Sequence, residues 1–206
     1  ELSDMCIDLV RDAVNSEEIL ERLAIPPLYW DMVRDSWQRN EPSLYGRFDF
    51  AYDGHGPAKL YEYNADTPTA LFEGAFFQWL WLEDSLKLGA LPPGSDQFNS
   101  IQERMVETFS TFQIPGLLHL ASMKDSEEDR ATVEYIRDCA EQARICTRQI
   151  YMEDIAADAN GQFMDPSGEA IRWLFKLYPW EIMLQDQFGP LLPGSDTTFV
   201  EPAWKM

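Results

Sequence analysis

Histidine and cysteine are scarce in this chain of 206 residues: two histidines, His55 and His119, and three cysteines, Cys6, Cys139 and Cys146. Two histidines exclude His-rich metal sites and leave little room for Cys–His or Ser–His nucleophilic chemistry. Three scattered cysteines build no disulfide framework and contain none of the close pairs that zinc sites use. Their odd number points to a reducing compartment, so a cytoplasmic location is expected. Basic residues are also short, with 16 Lys+Arg against 36 Asp+Glu and a formal net charge of −20. Nucleic acids and anionic membranes are bound through clustered Lys and Arg, so neither is expected as a partner. Long apolar runs are missing too. The most apolar stretch, residues 70–82, is interrupted by Glu73 and Gln78 and is too short to span a bilayer. No basic, apolar leader opens the chain.

What is present in quantity is apolar and aromatic: 45% of residues are hydrophobic, with 7 Trp, 8 Tyr and 12 Phe. That is enough apolar surface to fold despite the charge. The first forty residues carry helical spacing in Cys6, Leu9, Val10 and Val14, and again in Leu28, Met32, Val33 and Trp37. Residues 44–52 and 58–64 are aromatic-rich runs around Asp53-Gly-His-Gly-Pro57, which predicts a β-hairpin. A helix is expected next, with Thr67 as N-cap, Pro68 at its first position and Gly89 past its end. Its wide apolar face (Leu71, Phe72, Ala75, Phe76, Trp79, Leu80) predicts a central core helix. Further on, a strand at 117–121, an amphipathic helix from Ser126 to about Arg144 and a strand at 145–151 give the order of a parallel βαβ unit. Asn160-Gly161 predicts a tight turn and 171–178 another strand. The fold class is α/β. We divide the chain into 1–110, carrying the helices and hairpin, and 111–206, the α/β region. Glu1 and the stretch Glu201–Met206 are expected to be interior to a longer polypeptide.

With histidine and cysteine set aside, carboxylates are the candidates for chemistry. Side chains alternate along a strand, so Arg47 and Asp49 share one face, as do Glu62 and Asn64. If Asp53 pairs with Ala58, Asp49 lies opposite Glu62 and Arg47 opposite Asn64; a slip of one residue separates the two sets. In that register two carboxylates and an amide oxygen converge, a donor set suited to Mg²⁺. Arg47 beside them would stabilise charge on a transferring group. The plain alternative is that Arg47 pairs with Asp49 or Glu62 on an exposed face. Thr67 and Thr69 at the expected helix start, with Glu73 one turn on, form a candidate anion site; Thr67 as a simple cap is the plain alternative. The cluster Asp125-Ser-Glu-Glu-Asp129 either caps a helix and complements its dipole or attracts a cationic amine.

These residues resemble the synthetase domain of the glutathionylspermidine synthase family, an ATP-grasp group of acid–amine ligases. The resemblance rests on Tyr45-Gly-Arg-Phe-Asp-Phe50, Tyr61-Glu-Tyr-Asn-Ala-Asp-Thr-Pro-Thr69 with Glu73, Asp125-Ser-Glu-Glu128 and Phe175-Lys-Leu-Tyr-Pro-Trp-Glu181. It implies an ATP-grasp-type ligase portion in which ATP converts a carboxylate to an acyl-phosphate that an amine captures. It implies ATP and Mg²⁺ as cofactors, and as partners a small acid or peptide and an amine or polyamine. It places Asp49, Glu62 and Asn64 on the metal and Arg47 on the acyl-phosphate. Thr67, Thr69 and Glu73 fall on the peptide substrate, with Thr replacing Ser of other members. Asp125, Glu127 and Glu128 match an acidic segment near the peptide and amine. Leu177 stands where glutathionylspermidine synthetases carry Thr, which makes the pattern more like the stand-alone paralogues. The family continues past Met206 into its nucleotide-binding segments, so the chain resembles the front half of a ligase, inactive alone. A non-catalytic peptide- or polyamine-binding homologue is the alternative. A Mg²⁺-dependent phosphohydrolase fits the carboxylates but not the helix-start substrate site.

Overall fold

A computed structural model describes residues 1–97 and 99–206. Its centre is a four-stranded, all-parallel sheet in the order β4 (Cys146–Tyr151), β3 (Leu117–Ser122), β7 (Trp173–Lys176), β8 (Thr198–Val200). The expected βαβ unit is β3, α6 (Glu127–Gln142) and β4. Ser126 caps α6 by accepting the Asp129 N–H at 3.1 Å. The chain then crosses to the other flank of β3, where β7 and β8 add in turn. The three-residue β8 carries no periodic signal and went unforeseen.

Both faces of the sheet are covered, as parallel sheets require. Leu118, Leu120, Phe175 and Val200 pack under α5 (Ile101–Thr111) and α6 through Met105, Phe109, Val133 and Ile136. Their alternates Ala121, Leu174 and Phe199 pack on the other face against Val14, Leu20 and Val33. Those last three come from α1 (Leu2–Val14), α2 (Glu17–Arg22) and α3 (Trp30–Gln38), the expected N-terminal helices. The predicted turn at Asn160-Gly161 joins the two-residue strands β5 (Ala156–Ala157) and β6 (Phe163–Met164). There Asp158 accepts the N–H groups of Asn160 and Gln162, and Gly161 takes φ +80°. Among the described residues no helix is long and apolar enough to cross a membrane.

The hairpin forms from β1 (Arg47–Ala51) and β2 (Lys59–Asn64). Arg47 pairs with Asn64 and Asp49 with Glu62, the expected register. Beyond Asp49 the register shifts, because Phe50 pairs with Leu60 and Ala51 with Lys59. The bulge leaves Tyr61 as the extra residue, so pairing does not continue to Asp53 and Ala58.

The segment after the hairpin departs from expectation twice. Thr67 is not a helix cap and Pro68 is not helical; helical geometry begins at Leu71, after Ala70 at φ +62°. The reason is local: Asn64 Oδ1 accepts the Thr67 N–H at 3.2 Å, and Arg47 holds the Thr69 carbonyl at 3.2 Å, so residues 64–69 are tied into a turn. A π-helical stretch, Glu73–Phe77, leads into α4 (Gln78–Lys87). Gly89 at φ +69° ends it, as expected. Nor is this a core helix. Leu71 and Leu82 are buried, but Phe77 and Trp81 are 51% and 64% exposed. Apolar residues surround the helix, and the side of Leu71, Phe72 and Ala75 packs against the α5–α6 layer.

Candidate functional site

Arg47 organises the inner end of the hairpin. Its guanidinium forks onto Asp49, Nε to Oδ1 at 2.7 Å and Nη2 to Oδ2 at 2.8 Å. Nη2 also lies 3.6 Å from Glu62 Oε1. Nη1 donates to Thr69 Oγ1 at 2.9 Å. One planar group thus links both strands and the following turn, a geometry that Lys would not reproduce. The hydrogen bonds from Arg47 hold the Asp49 carboxyl below its ordinary value, and the same bonds raise Arg47. All three charged side chains are at least one-third exposed. On the opposite face Phe48 and Tyr63 stack with ring centroids 3.9 Å apart. Tyr63 also lies so close to Gly46 that a Cβ there would fall 2.5 Å from its ring, which explains glycine at that position.

Asp49, Glu62 and Asn64 are therefore brought together at one end of the hairpin, with Arg47 among them. Asn64 turns its amide into the loop, accepting from the Thr67 N–H at 3.2 Å and donating to the Thr67 carbonyl at 3.4 Å. Among the described residues no group of three or more His, Cys, Asp or Glu side chains is placed to hold a metal. The oxygen set here is two carboxylates and one amide. Thr69 joins the cluster through Arg47, while Thr67 enters by its backbone. Glu73 is exposed in the π-helical stretch, without an ion pair among the described residues. Since Thr69 lies outside the helix, Glu73 is not its helical neighbour. Asp125, Glu127 and Glu128 are exposed at the start of α6. That turn approaches the root of the hairpin: Tyr45, raised chiefly by burial and by Glu201, also feels the charge of Asp129.

Two ion pairs fix this cluster to the sheet, one buried throughout and one with its lysine buried, and neither was foreseen. Lys176, fully buried at the carboxyl end of β7, donates to Asp66 at 2.6 Å and to the Tyr178 carbonyl at 2.9 Å. Its ammonium lies 4.4 Å from the centre of the Trp180 ring. Asp66 also accepts the Trp180 N–H at 2.8 Å. Burial depresses the Lys176 ammonium, and Asp66 opposes that shift. At the end of β8, Glu201 accepts the backbone N–H groups of Leu44 and Tyr45 at 3.0–3.1 Å. Lys205 donates to Glu201 at 2.5 Å and to the Tyr45 carbonyl at 2.7 Å. The hairpin is thereby held at its entry by Glu201–Lys205 and at its exit by Asp66–Lys176. Sequence did hold a signal, a lysine inside the apolar run Trp173–Tyr178, though not its partner.

A family model described as glutathionylspermidine synthase preATP-grasp matches residues 1–206. The chain belongs to this family. Within reach of this glutathionylspermidine synthase-type chain, a putative acid–amine ligase of Haemophilus influenzae is 39% identical over 213 residues, covering 100% of this chain and 52% of the relative. A trypanothione synthetase of Crithidia fasciculata is 27% identical over 92% of this chain and 29% of its own length. The bifunctional glutathionylspermidine synthetase/amidase of Escherichia coli is 27% identical over 88% and 29%. The chain spans about half, or less, of the length of these curated relatives. A glutathione synthetase-like effector from Globodera pallida shares the fold, with a TM-score of 0.55 at 13% identity over 86% of this chain and 47% of the other. By family, then, this is a glutathionylspermidine synthase-type chain whose relatives are ligases.

Proposed function

We propose that the chain is the part of an ATP-dependent acid–amine ligase that binds substrate and Mg²⁺. The carrying observation is Arg47, forked onto Asp49, close to Glu62 and bonded to Thr69 on one exposed face. The donor set fits the ion: oxygen only, two carboxylates in direct cross-strand register with Asn64 beside them. Asp49, Glu62 and Asn64 would hold Mg²⁺, which supplies charge neutralisation at phosphate oxygens. The reading carries with it activation of the acid as an acyl-phosphate and its capture by an amine. Arg47 keeps Asp49 ionised and, beside Thr69, would supply positive charge to the oxygen on which negative charge grows at the acid's carbonyl. Thr67, Thr69 and Glu73 orient the acid or peptide. Asp125, Glu127 and Glu128 draw a cationic amine or polyamine toward the hairpin root.

The test is ADP release by the full-length protein across peptide acids paired with aliphatic amines and polyamines. Amine-dependent release is expected, falling at least ~100-fold in Asp49→Asn and Glu62→Gln with the thermal midpoint unchanged. Absence of amine-dependent release with every pair defeats the reading. One observation favours a non-catalytic binding homologue instead: both Asp49 oxygens already receive Arg47. On that reading peptide or polyamine binds without nucleotide turnover, and Asp49→Asn leaves binding intact.

A further inference from the structure

Pro68 is buried between two threonines that face outward: Thr69 is exposed and Thr67 is half-buried. A proline has no N–H, so the carbonyl is its only backbone hydrogen-bonding group. A buried carbonyl needs a donor, and among the described residues the one it finds is the Tyr45 hydroxyl at 3.0 Å. Its neighbours are held in the same manner. The Thr67 carbonyl accepts from Asn64 Nδ2 at 3.4 Å, and the Thr69 carbonyl from Arg47 Nη1 at 3.2 Å. Three consecutive carbonyls thus rest on three side chains, and among the described residues no backbone N–H reaches any of them. One flank of the turn is not packed. A cavity of about 360 Å³ lies between it and α5, lined by Thr69, Ala70, Ile101 and Met105 among others. The turn therefore takes its shape from Asn64, Tyr45 and Arg47.

Tyr45 differs from the other two. Asn64 and Arg47 belong to the hairpin cluster, whereas Tyr45 stands behind it at the hairpin entry, packed against the α5–α6 core. Its own backbone is clamped: its N–H donates to Glu201 at 3.0 Å and its carbonyl accepts Lys205 at 2.7 Å. Burial, and then the Glu201 charge, raise its hydroxyl above the ordinary value, so it is a donor at neutral pH. The ring spans from that clamp to Pro68. Without the hydroxyl the Pro68 carbonyl would be buried and unanswered, and the turn would have to move to satisfy it. We infer that Tyr45 is a positioning residue: its hydroxyl, through the Pro68 carbonyl, sets where Thr67 and Thr69 stand relative to Arg47, and so how tightly the acid is held. In this assignment Tyr45 transfers no proton and binds no substrate atom. The inference rests on the ligase reading for its substrate, and on the hydrogen bonds alone for the position of the turn.

Tyr45→Phe removes the bond to Pro68 and keeps the ring. Tyr29→Phe is the matched control, because the Tyr29 hydroxyl likewise donates to a backbone carbonyl, that of Leu184 at 2.8 Å, on the opposite face of the sheet. In nuclear magnetic resonance spectra of the chain, Tyr45→Phe should shift the Thr67 and Thr69 methyl signals and the Arg47 Nε–H signal, and leave Thr147 unmoved. Tyr29→Phe should leave Thr67, Thr69 and Arg47 as they are in the parent. Kinetics use the full-length protein, with the peptide acid and amine that the parent turns over fastest. There Tyr45→Phe should raise the KM for the acid at least ~5-fold, with kcat and the KM for the amine within about 2-fold of the parent. Tyr29→Phe should change none of the three. Unmoved Thr67 and Thr69 signals overturn the inference. So does an unchanged KM for the acid, or a KM for the amine that rises as far as that for the acid. Release of ADP that stays parental in Tyr45→Phe defeats this inference and spares the ligase reading. Absence of release in the parent defeats the ligase reading, and the methyl and Arg47 signals then decide the inference by themselves.

Discussion

Two populations of charge meet at the hairpin, and they behave differently. At its base, Lys176, Glu201 and Lys205 are buried and Asp66 is largely so, and backbone N–H and C=O groups complete their hydrogen bonding. On its face, Arg47, Asp49 and Glu62 are each at least one-third exposed and bond mainly to one another. Removing one partner of a buried pair strands the other in a medium that cannot solvate it. Removing one partner of an exposed pair hands the other to water. The base therefore sets position, and the face is left free to exchange partners, which is what a binding site requires.

Mutation can break this contrast, beginning at the base. Asp66→Ala leaves Lys176 buried without its counter-ion and should cost about 3–5 kcal/mol in urea unfolding. A second buried carboxylate tests the same rule away from the hairpin. Asp165 accepts from Ser167 and Glu169 N–H, from Arg148 and from His119 at 3.2 Å. Burial raises its pKa, but these donors together carry it well below the usual carboxylate range. A folded value below the unfolded one means the stabilisation is complete above about pH 4 and is lost as pH falls through the folded value. Asp165→Asn should cost about 2 kcal/mol at pH 7, and its gap from the parent should narrow in urea titrations carried into acid. Gly46, where base gives way to face, should show a smaller effect. Gly46→Ala pushes on the Tyr63 ring and should cost about 1 kcal/mol, read as a lower thermal midpoint. Arg47→Gln should leave the midpoint unchanged within error while abolishing ADP release by the full-length protein. A large loss of stability in Arg47→Gln would place that residue with the base and erase the contrast.

The same division separates what could be read in the sequence from what could not. The Asp49–Glu62 register followed from period-two alternation in Arg47-x-Asp49 and Glu62-x-Asn64, a short-range pattern. The βαβ unit followed from the Ser126 cap and the α6 stripe, also local. Thr67-Pro68 is a sound local start signal, yet Asn64 and Arg47 capture that backbone first. The exposure of α4 could not be read because an apolar helix does not state which side meets a neighbour. Lys176 and Asp66 are 110 positions apart, and Glu201 and Leu44 are 157 apart. No window along the chain contains such pairs.

Those separations bear on the order in which the molecule is made. The entry to the hairpin is tied to residues near the opposite end of this sequence, so closing that contact encloses 157 positions of chain and belongs among the slow, non-local steps. During synthesis β1 and β2 can pair as soon as they emerge, but the anchorage of their entry must wait for Glu201 and Lys205. A ribosome halted before that point would hold a hairpin with its strands matched and its exit tied to Lys176, but with its entry loose and its Arg47 cluster only half aimed.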